Sequence, residues 1–207
     1  MKTFSGLQRV LHWLMAIMVL AMLFIGVSMV STLNPRFLTL TSIHKPLGIA
    51  ILVLAVLRLG VRWRLDAPPL PDDLSRVQAL AAKLSHVALY ALLIAMPLVG
   101  WGMLSAGGYP VVLYGSLHLP EILPHDDQLH ATLQTTHTAL AYMFFAIVLL
   151  HVAAALFHAL IRRDGVFRAM AGIGPRTQYA WASSTGAEWG IRRTLAAMRR
   201  AAPTGRQ

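Results

Sequence analysis

The 207-residue chain contains no cysteine. That absence excludes disulfides, iron–sulfur clusters, thiolate-ligated haem and covalent c-type haem attachment. Charge is also scarce: Asp, Glu, Lys and Arg make up 13% of the residues, whereas a soluble domain carries about a quarter. The chain has eight acidic residues, none of them inside its four long apolar runs. Hydrophobic residues account for 57% of the chain, which reads as a small polytopic membrane protein.

Four stretches reach spanning length: about 10–30, 43–61, 84–106 and 135–161. Each is close to the ~20 residues that cross a ~30 Å hydrocarbon core. No small-residue cleavage site follows the first run, which therefore reads as a retained helix rather than a signal peptide. The expected fold is all-α, an integral membrane four-helix bundle over residues 1–170, with a basic tail over 171–207. Asp66-Ala-Pro-Pro-Leu-Pro-Asp-Asp reads as an extended proline-rich loop, and Ala106-Gly-Gly-Tyr-Pro as the break that ends the third span.

Basic residues are distributed unevenly. Lys2 and Arg9 precede the first span, Arg62, Arg64, Arg76 and Lys83 lie between the second and third, and nine arginines follow the fourth. The opposite side has only Arg36 and Lys45. The positive-inside rule then predicts both termini and the middle loop in the cytoplasm. It also accounts for the net charge of +10 without nucleic acid. The tail, with its Arg192-Arg193 and Arg199-Arg200 pairs, reads either as a basic helix on anionic lipid or as a loose topological signal.

Six of the nine histidines sit inside or at the ends of the apolar runs: His12, His44, His86, His137, His151 and His158. A polar group unsatisfied in hydrocarbon costs several kcal/mol, so repeated imidazoles there call for ligands or a polar pathway. With cysteine absent, histidine is the natural axial ligand of haem iron. His137 and His151 are 14 residues apart, nearly the same helix face at a vertical separation of roughly 21 Å. His44 matches the outer depth of His137. His12 belongs to an inner layer whose second member, by depth alone, is His151, His158 or His86. His151 is the farthest of these three from water, where an unliganded imidazole is least tolerable. His118, His125 and His130 fall in a polar loop and read as solvated surface residues.

Arg58 stands alone as a charged residue deep in a span, 14 residues after His44. No span supplies a carboxylate, so it reads as the partner of a haem propionate or as a snorkelling side chain. Gly26, Gly48, Gly60, Gly100 and Gly102 are candidate close-approach positions. Trp13, Trp63 and Trp101 read as interfacial anchors.

In order along the chain stand Leu11-His12-Trp13-Leu14, Ile43-His44-Lys45 with Gly48, Leu57-Arg58, Ala67-Pro68-Pro69-Leu70-Pro71, Leu84-Ser85-His86-Val87-Ala88-Leu89-Tyr90, Thr136-His137-Thr138 and Leu150-His151 through His158. In this combination, over about residues 4–170, the chain resembles the bacterial cytochrome b561 family, stand-alone relatives of the b-type cytochrome subunits of membrane hydrogenases. The resemblance implies four helices enclosing two b haems in the inner membrane, His12 and His151 on the cytoplasmic-side haem, and His44 and His137 on the periplasmic-side haem. It further implies an oxidoreductase that exchanges electrons with ubiquinone or another membrane quinone, with superoxide oxidation at the outer haem in some members. The tail beyond about residue 170 exceeds the family pattern.

The resulting expectation is electron transfer between a periplasmic one-electron donor, superoxide among the candidates, and the quinone pool. The alternative is an anchor subunit linking quinone to a periplasmic redox protein, with no substrate of its own. His158 and His86 are the candidate proton donors or quinone partners, since imidazole titrates in the needed range. Arg36 and Lys45 are placed to steer an anion to the outer site.

Overall fold

The computed structural model describes residues 4–31, 35–65, 74–113 and 117–172. The proline-rich segment 66–73 and the tail from 173, including its arginine pairs, lie outside the described residues. Four long helices dominate: α1 (Gly6–Val30), α2 (Arg36–Arg64), α3 (Arg76–Ala106) and α4 (Asp127–Leu156). All four are long and apolar enough to cross a membrane. Between α3 and α4 lies a small antiparallel hairpin, β1 (Val111–Val112) with β2 (His118–Leu119), pairing Val111 with Leu119. Past α4 the chain continues into a π-helical turn, Phe157–Arg162, and a short α5 (Val166–Ala171).

The helices overrun the apolar stretches because their ends are capped by polar residues that hydropathy does not see. Ser5 and Ser75 each accept a bond from the backbone N–H three residues on, and Gln8 and Gln78 reach back to the cap N–H, closing two capping boxes. Asp126 caps α4 through the Leu129 N–H at 2.9 Å. Helix α3 stops at Ala106, where Gly107 caps it and Gly108, at φ 69°, takes the left-handed turn that other residues avoid. That Gly-Gly pair is where the sequence predicts the break.

Helix α1 packs on α2, α2 on α3 and α3 on α4. The buried core takes two residues from each: Met15 and Val19, Ile51 and Ala55, Leu92 and Leu93, Phe144 and Val148. Large apolar side chains such as Phe24, Leu150 and Ile161 point outward and stay exposed. In water such a surface would aggregate, whereas in a bilayer it is the solvent-facing surface.

The start of α1, the end of α2, the start of α3 and the end of α4 define one end of the bundle, called here the basic end. Gln8, buried near the start of α1, donates to the Leu65 carbonyl just past α2 at 3.2 Å. Helix α5 covers the same end: Trp13 donates to the Met170 carbonyl and meets Phe167 edge-on, and Ala169 is buried. The opposite end carries the hairpin. There Trp101 donates to the Pro120 carbonyl at 2.9 Å, tying the loop to α3.

Candidate functional site

The bundle brings its intramembrane histidines together in two layers. At the hairpin end, His44 of α2 faces His137 of α4 with ring centres 6.3 Å apart and planes inclined by 68°. At the basic end, His12 of α1 faces His151 of α4 at 6.4 Å and 72°. The 14-residue spacing on α4 thus serves two levels from one helix. Between them lies an apolar slab: Ile51 and Ala55 follow His44, and Phe144 and Val148 separate His137 from His151.

The spacing is compatible with a shared metal. Two imidazoles binding one metal from opposite sides stand roughly 6.2 Å apart centre to centre, from a metal–nitrogen bond of about 2 Å and about 1.1 Å from nitrogen to ring centre on each side. Both pairs match. The third close contact, His86 of α3 with His151, is shorter at 5.7 Å, which suits direct edge contact better than an intervening metal. His12 and His44 each bury an Nδ1 with no hydrogen-bond partner among the described residues, and the His137 ring lies against the Met96 backbone. A buried imidazole nitrogen left so costs about 1–3 kcal/mol. The rings are therefore suited to binding something other than protein.

No three His, Cys, Asp or Glu side chains converge on a metal position among the described residues. A bare ion held by two imidazoles would be under-ligated. An iron already held by four porphyrin nitrogens needs two axial ligands and no more, so the pairs fit haem.

Gly100 of α3 makes room for His137: a Cβ there would stand 3.2 Å from the ring's Cε1. Gly102 does the same for Leu123, at 3.0 Å, and Gly48 meets only Met22. Gly26 and Gly60 have no such neighbour within 4 Å.

The basic-end layer is the more polar of the two. Arg58 of α2 lies against the Met15 sulfur at 3.7 Å and over the Tyr90 ring at 5.5 Å. No carboxylate pairs with it among the described residues, so its charge remains available to an anionic ligand. His158 stands elsewhere, on the π-helical turn, with Nδ1 2.5 Å from the Asp164 carboxylate; Arg162 bonds the same carboxylate at 3.1 Å. Asp164 was not among the residues singled out from the sequence. Its signal was its place as the first acidic residue after the fourth span, six residues past His158.

At the hairpin end, Arg36 opens α2 and is exposed, and Lys45 adjoins His44 and is half-buried. His118 is exposed in β2, as expected. His125 is exposed as well, with its Nδ1 3.0 Å from the Ala106 carbonyl; the solvated reading requires correction for His130, which is half-buried with its Nδ1 2.8 Å from the Met103 carbonyl. The Met103 carbonyl also takes the Gly107 N–H and the Ala106 carbonyl the Asp126 N–H, so each imidazole adds a second bond at the end of α3.

The family model described as prokaryotic cytochrome b561 matches residues 3–172 of the chain. The chain is 32% identical over 177 residues to the probable superoxide oxidase CybB of Yersinia pestis, covering 82% of this chain and 96% of that protein. It is 31% identical over 176 residues to cytochrome b561 homolog 2 of Escherichia coli K12, covering 83% and 92%. It is 27% identical over 178 residues to cytochrome b561 homolog 1 of the same organism, covering 82% and 97%.

Proposed function

The chain belongs to the prokaryotic cytochrome b561 family, membrane-embedded b-type electron-transfer proteins, and from that premise we propose that it binds two b haems and passes electrons between a periplasmic one-electron donor and the quinone pool. The observation that carries this reading is the pair of imidazole couples, at 6.3 and 6.4 Å, separated by an apolar slab. His44 and His137 would hold the outer haem, and His12 and His151 the inner one. Bound haem supplies a centre that changes oxidation state one electron at a time.

The protein's own residues hold and tune these centres. Arg58 offers its guanidinium to a propionate in the inner layer, where each span lacks a carboxylate of its own. The basic end faces the cytoplasm by the positive-inside rule, which puts both termini there. His158, at the cytoplasmic end of α4, is the proton donor or hydrogen-bond partner for quinone. His86, in contact with His151, belongs to the same inner region.

Superoxide is the favoured outer donor. One of the relatives bears that activity in its name, and Lys45 beside His44, with Arg36 about two turns earlier on α2, gives the outer layer the positive charge an anion would follow. The reaction balances as two superoxide anions giving up one electron each to become dioxygen, while one quinone takes those two electrons and two protons to become quinol.

Mixing the purified protein with superoxide and a short-chain benzoquinone tests this. Quinol formation coupled to superoxide loss, slowing as ionic strength rises, is expected. Turnover that appears only when a periplasmic redox protein is added would replace it with the anchor-subunit reading.

A further inference from the structure

The basic end holds a second polar arrangement, separate from the imidazole couples. After α4 the chain widens into the π-helical turn Phe157–Arg162, and Arg163, at φ 53° and ψ 31°, takes a left-handed conformation and returns its N–H to the His158 carbonyl. Gly165, at φ 83°, continues the reversal into α5. These two residues fold Asp164 back beneath His158. The Asp164 side chain is 9% exposed and that of His158 21%, so the contact is shielded from water without being sealed.

The chemistry of the contact follows from Asp164. Its oxygens take the Val166 N–H at 3.2 Å, the Arg162 Nε at 3.1 Å and the His158 ring nitrogen. Burial pushes its pKa up, but the bonds from His158 and Val166 and the Arg162 charge outweigh burial and hold it below the usual carboxylate range. Asp164 is thus an ionised acceptor and has no proton to give. The Nδ1 of His158 must then be the donor, which fixes the tautomer and leaves Nε2 as the nitrogen free to exchange protons.

We propose that Asp164 is a positioning residue for proton delivery: it locks His158 with Nδ1 bound, so that Nε2 hands protons to a quinone reduced at the cytoplasmic side of the bundle. The inference rests on the quinone reading above. In each turnover the quinone takes two electrons from the cytochrome, themselves drawn from the outer one-electron donor, and two protons. His158 passes one proton at a time from Nε2 to a quinone oxygen and regains it from cytoplasmic water, while the Nδ1–H bond to Asp164 stays in place. Asp164 touches neither quinone nor metal. Arg162 shares its carboxylate, and Arg163 and Arg168 are the remaining charged side chains of the turn and α5.

The test is the reoxidation of pre-reduced protein by a short-chain benzoquinone, in wild type, Asp164→Asn, Asp164→Glu, His158→Gln and the double variant His158→Gln/Asp164→Asn. Asp164→Asn should lower the limiting reoxidation rate about ten-fold or more with little change in the quinone concentration that half-saturates it, since general acid–base catalysis contributes at least that much. Asp164→Glu should recover most of the loss. The double variant should be no slower than His158→Gln alone, because Asp164 acts only through His158. The haem spectrum, which reports on the four ligands, should be intact throughout. Should Asp164→Asn not retain its haem, Asp164→Ser is judged by the same comparison. A wild-type rate in the Asp164 variant, or losses that multiply in the double variant, overturns the proposal while leaving the quinone reading standing. A wild type inert to quinone overturns both.

Discussion

At the hairpin end His44 and His137 meet above apolar side chains, with Gly100 clearing space for the His137 ring and Lys45 next to His44. At the basic end His12 and His151 face each other at nearly the same distance, but His86 touches His151, Arg58 lies one helical turn below the core, and the His158–Asp164 contact closes the end of α4. The same imidazole couple is built twice, once beside a single lysine and once beside a further imidazole and a half-buried arginine. One-electron transfer needs only the first. A partner that takes protons with its electrons is better served by the second, where His86 and His158 stand beside the couple's end of the bundle.

The comparison breaks most sharply by removing ligands. His44→Ala and His137→Ala should each abolish one b-type signal completely and leave the other, and His12→Ala and His151→Ala should do the reverse, read in a redox titration of purified protein. His86→Ala should keep both signals. Were it to remove one, the 5.7 Å contact would mark a ligand and the inner assignment would be wrong.

Gly100 tests the isolation of the outer layer. A methyl group 3.2 Å from the His137 ring requires the ring to yield by a few tenths of an ångström. Gly100→Ala should shift the potential or Soret position of the outer signal alone, and Gly100→Leu should remove that signal. An equal shift of both would mean that the apolar slab does not insulate the layers.

Arg58 tests the polarity of the inner layer. A positive charge favours the reduced iron, so Arg58→Leu should lower the inner potential by tens of millivolts, corresponding to roughly 1 kcal/mol at a protein-like dielectric. Arg58→Lys should fall between. A shift confined to the outer signal would place the guanidinium's influence in the wrong layer.

The smallest effect concerns Asp164 and stability. Its pKa is lowered in the folded protein, so its contribution is complete above the ordinary carboxylate value of about 3.9 and is lost as pH falls through the lower folded value. Melting in detergent between pH 6 and pH 3 should show a shallower acid loss in Asp164→Asn than in wild type. Identical slopes would mean the carboxylate adds nothing to the basic end.

Much of this was legible in the chain. Helices α1 to α4 follow from apolar length, and the two layers from the 14 residues between His137 and His151, because helical rise converts spacing into depth. The rest depended on helix rotation, which spacing on one helix cannot supply. His86 and His158 lie close to the basic border and His151 two turns deeper, yet the packing of α3 on α4 sets His86 against His151. Asp164 was hidden because its approach to His158 needs a left-handed Arg163 and Gly165, a chain reversal with no hydropathic signature. His130 was misread as solvated because a loop's composition does not reveal which helix carbonyls its side chains will reach.

The central claim, two porphyrin-bound irons per chain each held by an imidazole from α4, is tested most directly by extracting the pigment from purified protein and measuring protohaem against polypeptide. The account predicts two per chain. One or none would contradict it.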